Sequence, residues 1–183
     1  MEAHKLKTID DLMEAQKSDE RFELINGEII KRPMASFDHS SIQSDVPVEL
    51  AHYKRMSGPG GWWIVTEISV RYNEHQCPVH DIAGWRKERV PQRPKGVMKM
   101  TPDWVCEIVS PGHVAKDTVT IFNLLKEYKI PFYWIINPEE KILSAYQYSE
   151  DTYKVLVSVQ NKAKVRLEPF TEIEFDLNYL FGE

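Results

Sequence analysis

The sequence predicts an α/β fold with a mixed β-sheet flanked by helices, and three observations carry that prediction. A strand–helix–strand passage runs from Asp103 to Asn137, with a near-continuous apolar last strand, FYWIIN, as expected of a strand covered on both faces. Such a unit implies a right-handed crossover between parallel neighbours. Upstream, runs rich in β-branched and aromatic residues, WWIVTEISVRY and VHDIAGW, are joined by links too short for a crossover, which makes them antiparallel. An Asn26-Gly27 pair between apolar flanks marks a tight hairpin over residues 21–31, because both residues accept positive φ.

The remaining elements follow in order. Thr8 caps a short helix to about Lys17, with Asp10 and Asp11 in its first turn. Ile42, Val46, Leu50 and Tyr53 stand at helical spacing over Asp38 to Met56, where Pro47 implies a kink or a delayed start. Strands are expected from Trp62 to Tyr72, Val79 to Trp85 and Asp103 to Val109. The longest amphipathic helix runs from Val114 to Lys129, with Val114, Thr118, Ile121, Leu124, Leu125 and Tyr128 on one stripe. Alternating strands near Ser144–Tyr148, Tyr153–Val159 and Val165–Leu167 precede a short helix after Asp176.

The 183 residues suit one domain, 1–183, with no repeat or low-complexity linker to divide them. Charged residues make up 28% and hydrophobic residues 42%, a globular balance that excludes disorder. No apolar run reaches the ~20 residues of a membrane span, and the first residues lack an apolar signal core. Cys77 and Cys106 cannot build a disulfide framework and fit a reducing cytoplasm as free thiols. The net charge of −5 does not advertise nucleic-acid binding, although a bound cation supplies positive charge where a phosphate would sit.

Acids inside apolar strands are the positions that carry chemistry, since burying a carboxylate is costly unless it is paired or bound to a metal. Glu67 interrupts WWIVTEISV, Asp81 interrupts VHDIAGW, and Glu107 interrupts DWVCEIVSP. Alternation puts Asp103, Val105 and Glu107 on one face, with Trp104 and Cys106 on the other. Asp103 lies ~13 Å along the strand from Glu107, so Asp81 is the better partner for a shared cation. An all-oxygen set suits Mg2+ or Mn2+. Each acid alone reads as an ordinary ion pair; three in succession point to a site.

The stretches FELINGEI, His39, HDIAGWR, PDWVCEIVSP and KEYKIPFYWIINPE together resemble the Uma-type family of restriction endonucleases, a bacterial branch of the PD-(D/E)xK nuclease superfamily. The resemblance spans about residues 21–140. It implies a restriction-endonuclease-like fold, metal-dependent hydrolysis of DNA phosphodiesters, and a homodimer as the means of cutting two strands. By position Asp81 matches the first metal aspartate and Glu107 the second acidic ligand, with Glu67 matching a subgroup acid. The residue before the first aspartate is His80 rather than proline, with Pro78 displaced. The family lysine aligns with Ile121, so Lys116 or Lys126 must substitute, each five residues or ~140° away on an α-helix. Lys116, at the start of the helix and close to the Glu107 strand, is the expected catalytic lysine. Expected catalytic residues are thus Asp81, Glu107, Lys116 and Glu67, with Asp81 and Glu107 as metal ligands.

A catalytically inactive nuclease-fold protein that binds nucleic acid or a protein partner is the alternative, and an oligomeric structural protein with ion-paired strand acids is the third reading. His75, Cys77 and His80 lack a fourth zinc ligand. The basic stretch RKERVPQRPKGVMK reads as a solvated loop, or more sharply as a phosphate-contacting segment beside the metal site. The tryptophans read as core rather than base-stacking platforms.

Overall fold

The computed structural model describes residues 5–110, 116–160 and 164–182. Helix α1 (Ile9–Gln16) opens with the expected Thr8 cap, whose hydroxyl accepts from Asp11 N–H while the Asp11 carboxylate accepts from Thr8 N–H. The hairpin follows as β1 (Phe22–Ile25) and β2 (Glu28–Lys31), turned by Asn26 at φ 52° and Gly27 at φ 72°. Reciprocal backbone bonds between Leu24 and Cys77 dock the hairpin onto the rest of the molecule.

Helix α2 (Phe37–Glu49) contains Pro47 and starts without delay. The interruption comes after the proline: Leu50 leaves helical geometry before α3 (Ala51–Arg55) resumes. Ile42, Val46, Leu50 and Tyr53 form the buried stripe the spacing predicts.

A six-stranded mixed sheet holds the centre. It comprises β3 (Trp62–Ser69), β4 (Val79–Arg86), β5 (Trp104–Ile108), β6 (Phe132–Asn137), β7 (Ile142–Ser149) and β8 (Thr152–Gln160), side by side in that order. Only β5 and β6 run parallel; every other neighbour is antiparallel. The crossover between β5 and β6 differs from the expected α-helix. Its described part begins as a π-helix, Lys116–Ile121, and becomes α-helical only in α4 (Phe122–Glu127), with Lys129 at φ 54°. Ile121, Leu124 and Leu125 are buried as the stripe predicts, whereas Val114 lies outside the described residues. A small ladder of β9 (Lys164–Val165) with β10 (Phe175–Asp176) and helix α5 (Leu177–Leu180), capped by Asp176, complete the chain. Among the described residues no helix is long and apolar enough to cross a membrane.

Each face of the sheet carries its own core. Trp104, Cys106 and Ile108 point to the face covered by α2 and the C-terminal segment; Val105 and Val109 point to the face covered by α4. Phe170 is the hub of the first core, with ring centroids 4.9 Å from Trp62, 5.0 Å from Tyr53 and Trp104, and 5.7 Å from Trp134. Gly84 lets two of those rings close over β4, since a Cβ there would lie 3.1 Å from the Trp104 ring and 3.2 Å from that of Trp62. Phe170→Ala should therefore cost about 4 kcal/mol, read from urea unfolding; a loss below about 1.5 kcal/mol would show that the rings repack without it.

Candidate active site

Strands β4 and β5 stop pairing at Ile82 and Cys106, one residue short of the two acids. Beyond that point each acid bonds to the opposite backbone. The Asp81 Oδ2 accepts from Ile108 N–H at 2.9 Å, and the Glu107 Oε2 accepts from Asp81 N–H at 3.3 Å. Both residues are buried. Side chains thus replace the ladder bonds where the strands diverge, and the carboxylates are fixed by the backbone they interrupt.

Glu67 stands opposite Asp81 on β3, in the gap between the pairs Thr66–Ile82 and Ile68–His80. Its φ is 50°, the left-handed region, which a mid-strand glutamate adopts only at some cost. Alternation breaks there: Ile64 packs in the first core, while Ile68 and Val70 pack in the second. At that irregularity the Glu67 carboxylate stays half-exposed and meets Arg32, which also reaches Asp81.

Three residues from the hairpin and α2 meet these acids. Arg32, just past β2, forks onto both Glu67 oxygens and reaches Asp81 Oδ1 at 3.2 Å. Gln43 donates to Glu67 Oε1 at 2.5 Å and to the Asp81 carbonyl at 3.1 Å. His39, in the first turn of α2, places Nε2 3.4 Å from Asp81 Oδ1, with Nδ1 3.0 Å from Ser110 Oγ. Burial pushes the His39 imidazole down, but the Asp81 carboxylate outweighs it and holds the ring above its ordinary pKa. Burial likewise opposes ionisation of Glu67 and Asp81, and is outweighed by Arg32 and Gln43 for the one and chiefly by His39 for the other.

Glu107 behaves oppositely. Burial, then the neighbouring Asp81 charge, raises its carboxyl well above the usual range. Its Oε1 lies 2.6 Å from His80 Nδ1, and His80 Nε2 lies 2.9 Å from the Tyr72 hydroxyl. Burial lowers His80 to about 3, so the ring is neutral and serves as a hydrogen-bond link. His80 therefore orients Glu107.

Lys116 Nζ sits 2.6 Å from Oε1 of fully buried Glu23, whose Oε2 accepts from Val79 N–H. The hairpin thus holds the lysine. In a π-helix the i→i+5 bond sets Ile121 one turn beyond Lys116, which brings the two positions nearer to one line than an α-helix would.

One cavity of about 310 Å³ is lined by Arg32, His39, Glu67, Asp81, Glu107 and Lys116, among others. All four residues singled out from the sequence as catalytic meet there. Ligand atoms of His39, Glu67 and Asp81 lie within 4.8 Å of one another, a grouping the sequence did not identify. Arg32, Gln43 and Glu23 were also missed. Glu23 carried a signal, being an acid in the apolar strand FELI, the same mark that flagged the other three. Arg32 and Gln43 carried none.

The zinc alternative dissolves: His75 Nδ1 bonds to the Lys7 carbonyl, while His80 faces Glu107. The basic loop leaves from the far end of β4 and lines no part of the cavity. Arg86 lies over the Trp62 ring, Lys87 over that of Trp63, and Arg89 pairs with Asp103. Trp62, Trp104 and Trp134 are core residues, as expected.

The chain is similar over 96% of its length to a crystal structure from Anabaena variabilis ATCC 29413 described as a "putative nuclease belonging to DUF820", with a TM-score of 0.76, 23% identity and 97% of that chain covered. No curated protein matches it. The model of the family described as "Uma2: Putative restriction endonuclease" matches residues 8–179, from the cap of the first helix into the last. The pattern covers every element that builds the cavity, and the chain belongs to the Uma2 family.

Proposed function

We propose that this chain is a divalent-metal-dependent endonuclease that hydrolyses DNA phosphodiester bonds, with Asp81 and Glu107 holding Mg2+ or Mn2+. One observation carries the reading: the two acids lie against each other where β4 and β5 part, in a cavity that Lys116 also lines. Family membership supports nuclease chemistry, and the shared fold is consistent with it.

The donor set fits such a cation. Burial and then the neighbouring Asp81 charge raise the Glu107 carboxyl well above its usual range, and a bound cation would favour the ionised form of both acids. Glu67 and His39 offer further oxygen and nitrogen donors on the Asp81 side. A bound divalent cation supplies a Lewis acid for the phosphate and lowers the pKa of ligated water.

The chain's own residues do the rest. Lys116 presents an ammonium to the cavity, anchored by Glu23, where it orients the attacking water and offsets charge developing on the phosphate. His80, tied to Tyr72, fixes the orientation of the Glu107 carboxyl at the cavity wall. Glu67 acts through Arg32 and Gln43 on the Asp81 side.

One observation favours a second reading, a nuclease-fold protein that binds nucleic acid without cutting. Ile121 fills the family lysine position and is 1% exposed in the core, so cleavage depends wholly on Lys116.

Mn2+ titration and plasmid nicking, run on the same samples, separate the readings. Asp81→Ala should lose Mn2+ binding and lower nicking by about 100-fold or more, whereas nicking that survives both Asp81→Ala and Glu107→Ala would sink the proposal. Wild type that binds Mn2+ without nicking DNA would assign the second reading. Lys116→Met should keep Mn2+ binding, lose about 100-fold in nicking, and lower unfolding stability by about 3 kcal/mol because Glu23 is left buried without its partner. Unchanged stability would place the Glu23 charge elsewhere.

A further inference from the structure

Arg32 is the cation that the acidic cluster already holds. Its guanidinium makes three hydrogen bonds to two carboxylates: both oxygens of Glu67 and Oδ1 of Asp81. That Asp81 oxygen also faces His39, and Glu67 and Asp81 both belong to the His39–Glu67–Asp81 grouping suited to a metal. The guanidinium and a metal cation therefore compete for the same two carboxylates. The Arg32 side chain is only 16% exposed and lines the cavity, so a guanidinium displaced from the acids is still beside it, charged and in need of an anion. A guanidinium pairs with phosphate oxygens by the same two-pronged geometry it uses on a carboxylate.

We infer that Arg32 is a further substrate-binding residue: it is the counter-ion of Glu67 and Asp81 until a divalent cation takes those carboxylates, and it then clasps a phosphate of the nucleic-acid substrate. The inference rests on the metal reading of Asp81 above. It gives the exchange a direction, since the cation that binds the acids releases the arginine that binds the phosphate. An idle site keeps its charges balanced, and a loaded one acquires its phosphate donor only when the metal is present.

The test is Mn2+ titration by calorimetry on wild type, Arg32→Gln and Asp81→Asn, with binding of a short DNA duplex measured with and without Mn2+. Arg32→Gln should bind Mn2+ about tenfold more tightly than wild type, because no guanidinium has to be displaced or repelled. The same variant should lose about tenfold in Mn2+-dependent DNA affinity. Should Arg32→Gln fail to fold, Arg32→Lys carries the test: it loses the fork on the acids and should bind Mn2+ more tightly than wild type, though by less than tenfold because its charge remains. If wild type binds Mn2+ through Asp81 and the Arg32 variant binds it no better, this inference falls and the metal reading stands. If neither protein binds Mn2+, the metal reading falls and takes this inference with it. DNA affinity that gains nothing from Mn2+ in wild type would overturn the phosphate half of the exchange.

Discussion

The site depends on a failure of strand pairing. Where β4 and β5 diverge, two backbone N–H groups would be left without partners in the interior, and that is costly. The Asp81 and Glu107 side chains meet the need by crossing to the opposite strand. The same exchange fixes both carboxylates before any ligand is considered. A structural requirement of the sheet and a chemical requirement of the cavity are thereby met by the same two groups, and neither can be altered alone.

Around this pair the charges are arranged asymmetrically. The Asp81 side is rich in donors: Arg32, His39 and the Ile108 N–H favour its ionised form. The Glu107 side is enclosed by the neutral His80–Tyr72 link, and burial there raises its carboxyl well above the usual range. Two neighbouring acids are shifted in opposite directions by what surrounds them.

Much of this was legible from the sequence because the relevant signals are local. Asn26-Gly27, the Thr8 cap and FYWIIN each announce an element through a few adjacent residues, and strand acids announce themselves by interrupting an apolar run. The crossover was legible as a helix but not as a π-helix, since an amphipathic stripe does not report which carbonyl each N–H reaches. Arg32 and Gln43 were illegible for a plainer reason. Neither interrupts an apolar strand, and only the approach of the hairpin and α2 to the end of the sheet gives them the acids as partners. Glu67 was flagged by residue type, while the left-handed backbone that aims it follows from the sheet and not from the sequence around it.

The bridge between Glu23 and Lys116 has a consequence for when the site comes into being. The acids lie on adjacent antiparallel strands, but Lys116 is secured by the N-terminal hairpin, and Arg32 is delivered by that same hairpin. The cationic half is therefore assembled from contacts distant along the chain, which form late because their loop closure is the more costly. A chain with its sheet formed and its hairpin still undocked carries carboxylates without their counter-charges. On the proposed reading, a molecule whose hairpin is undocked would present bare negative charge at the site and repel a polyanion rather than hold it.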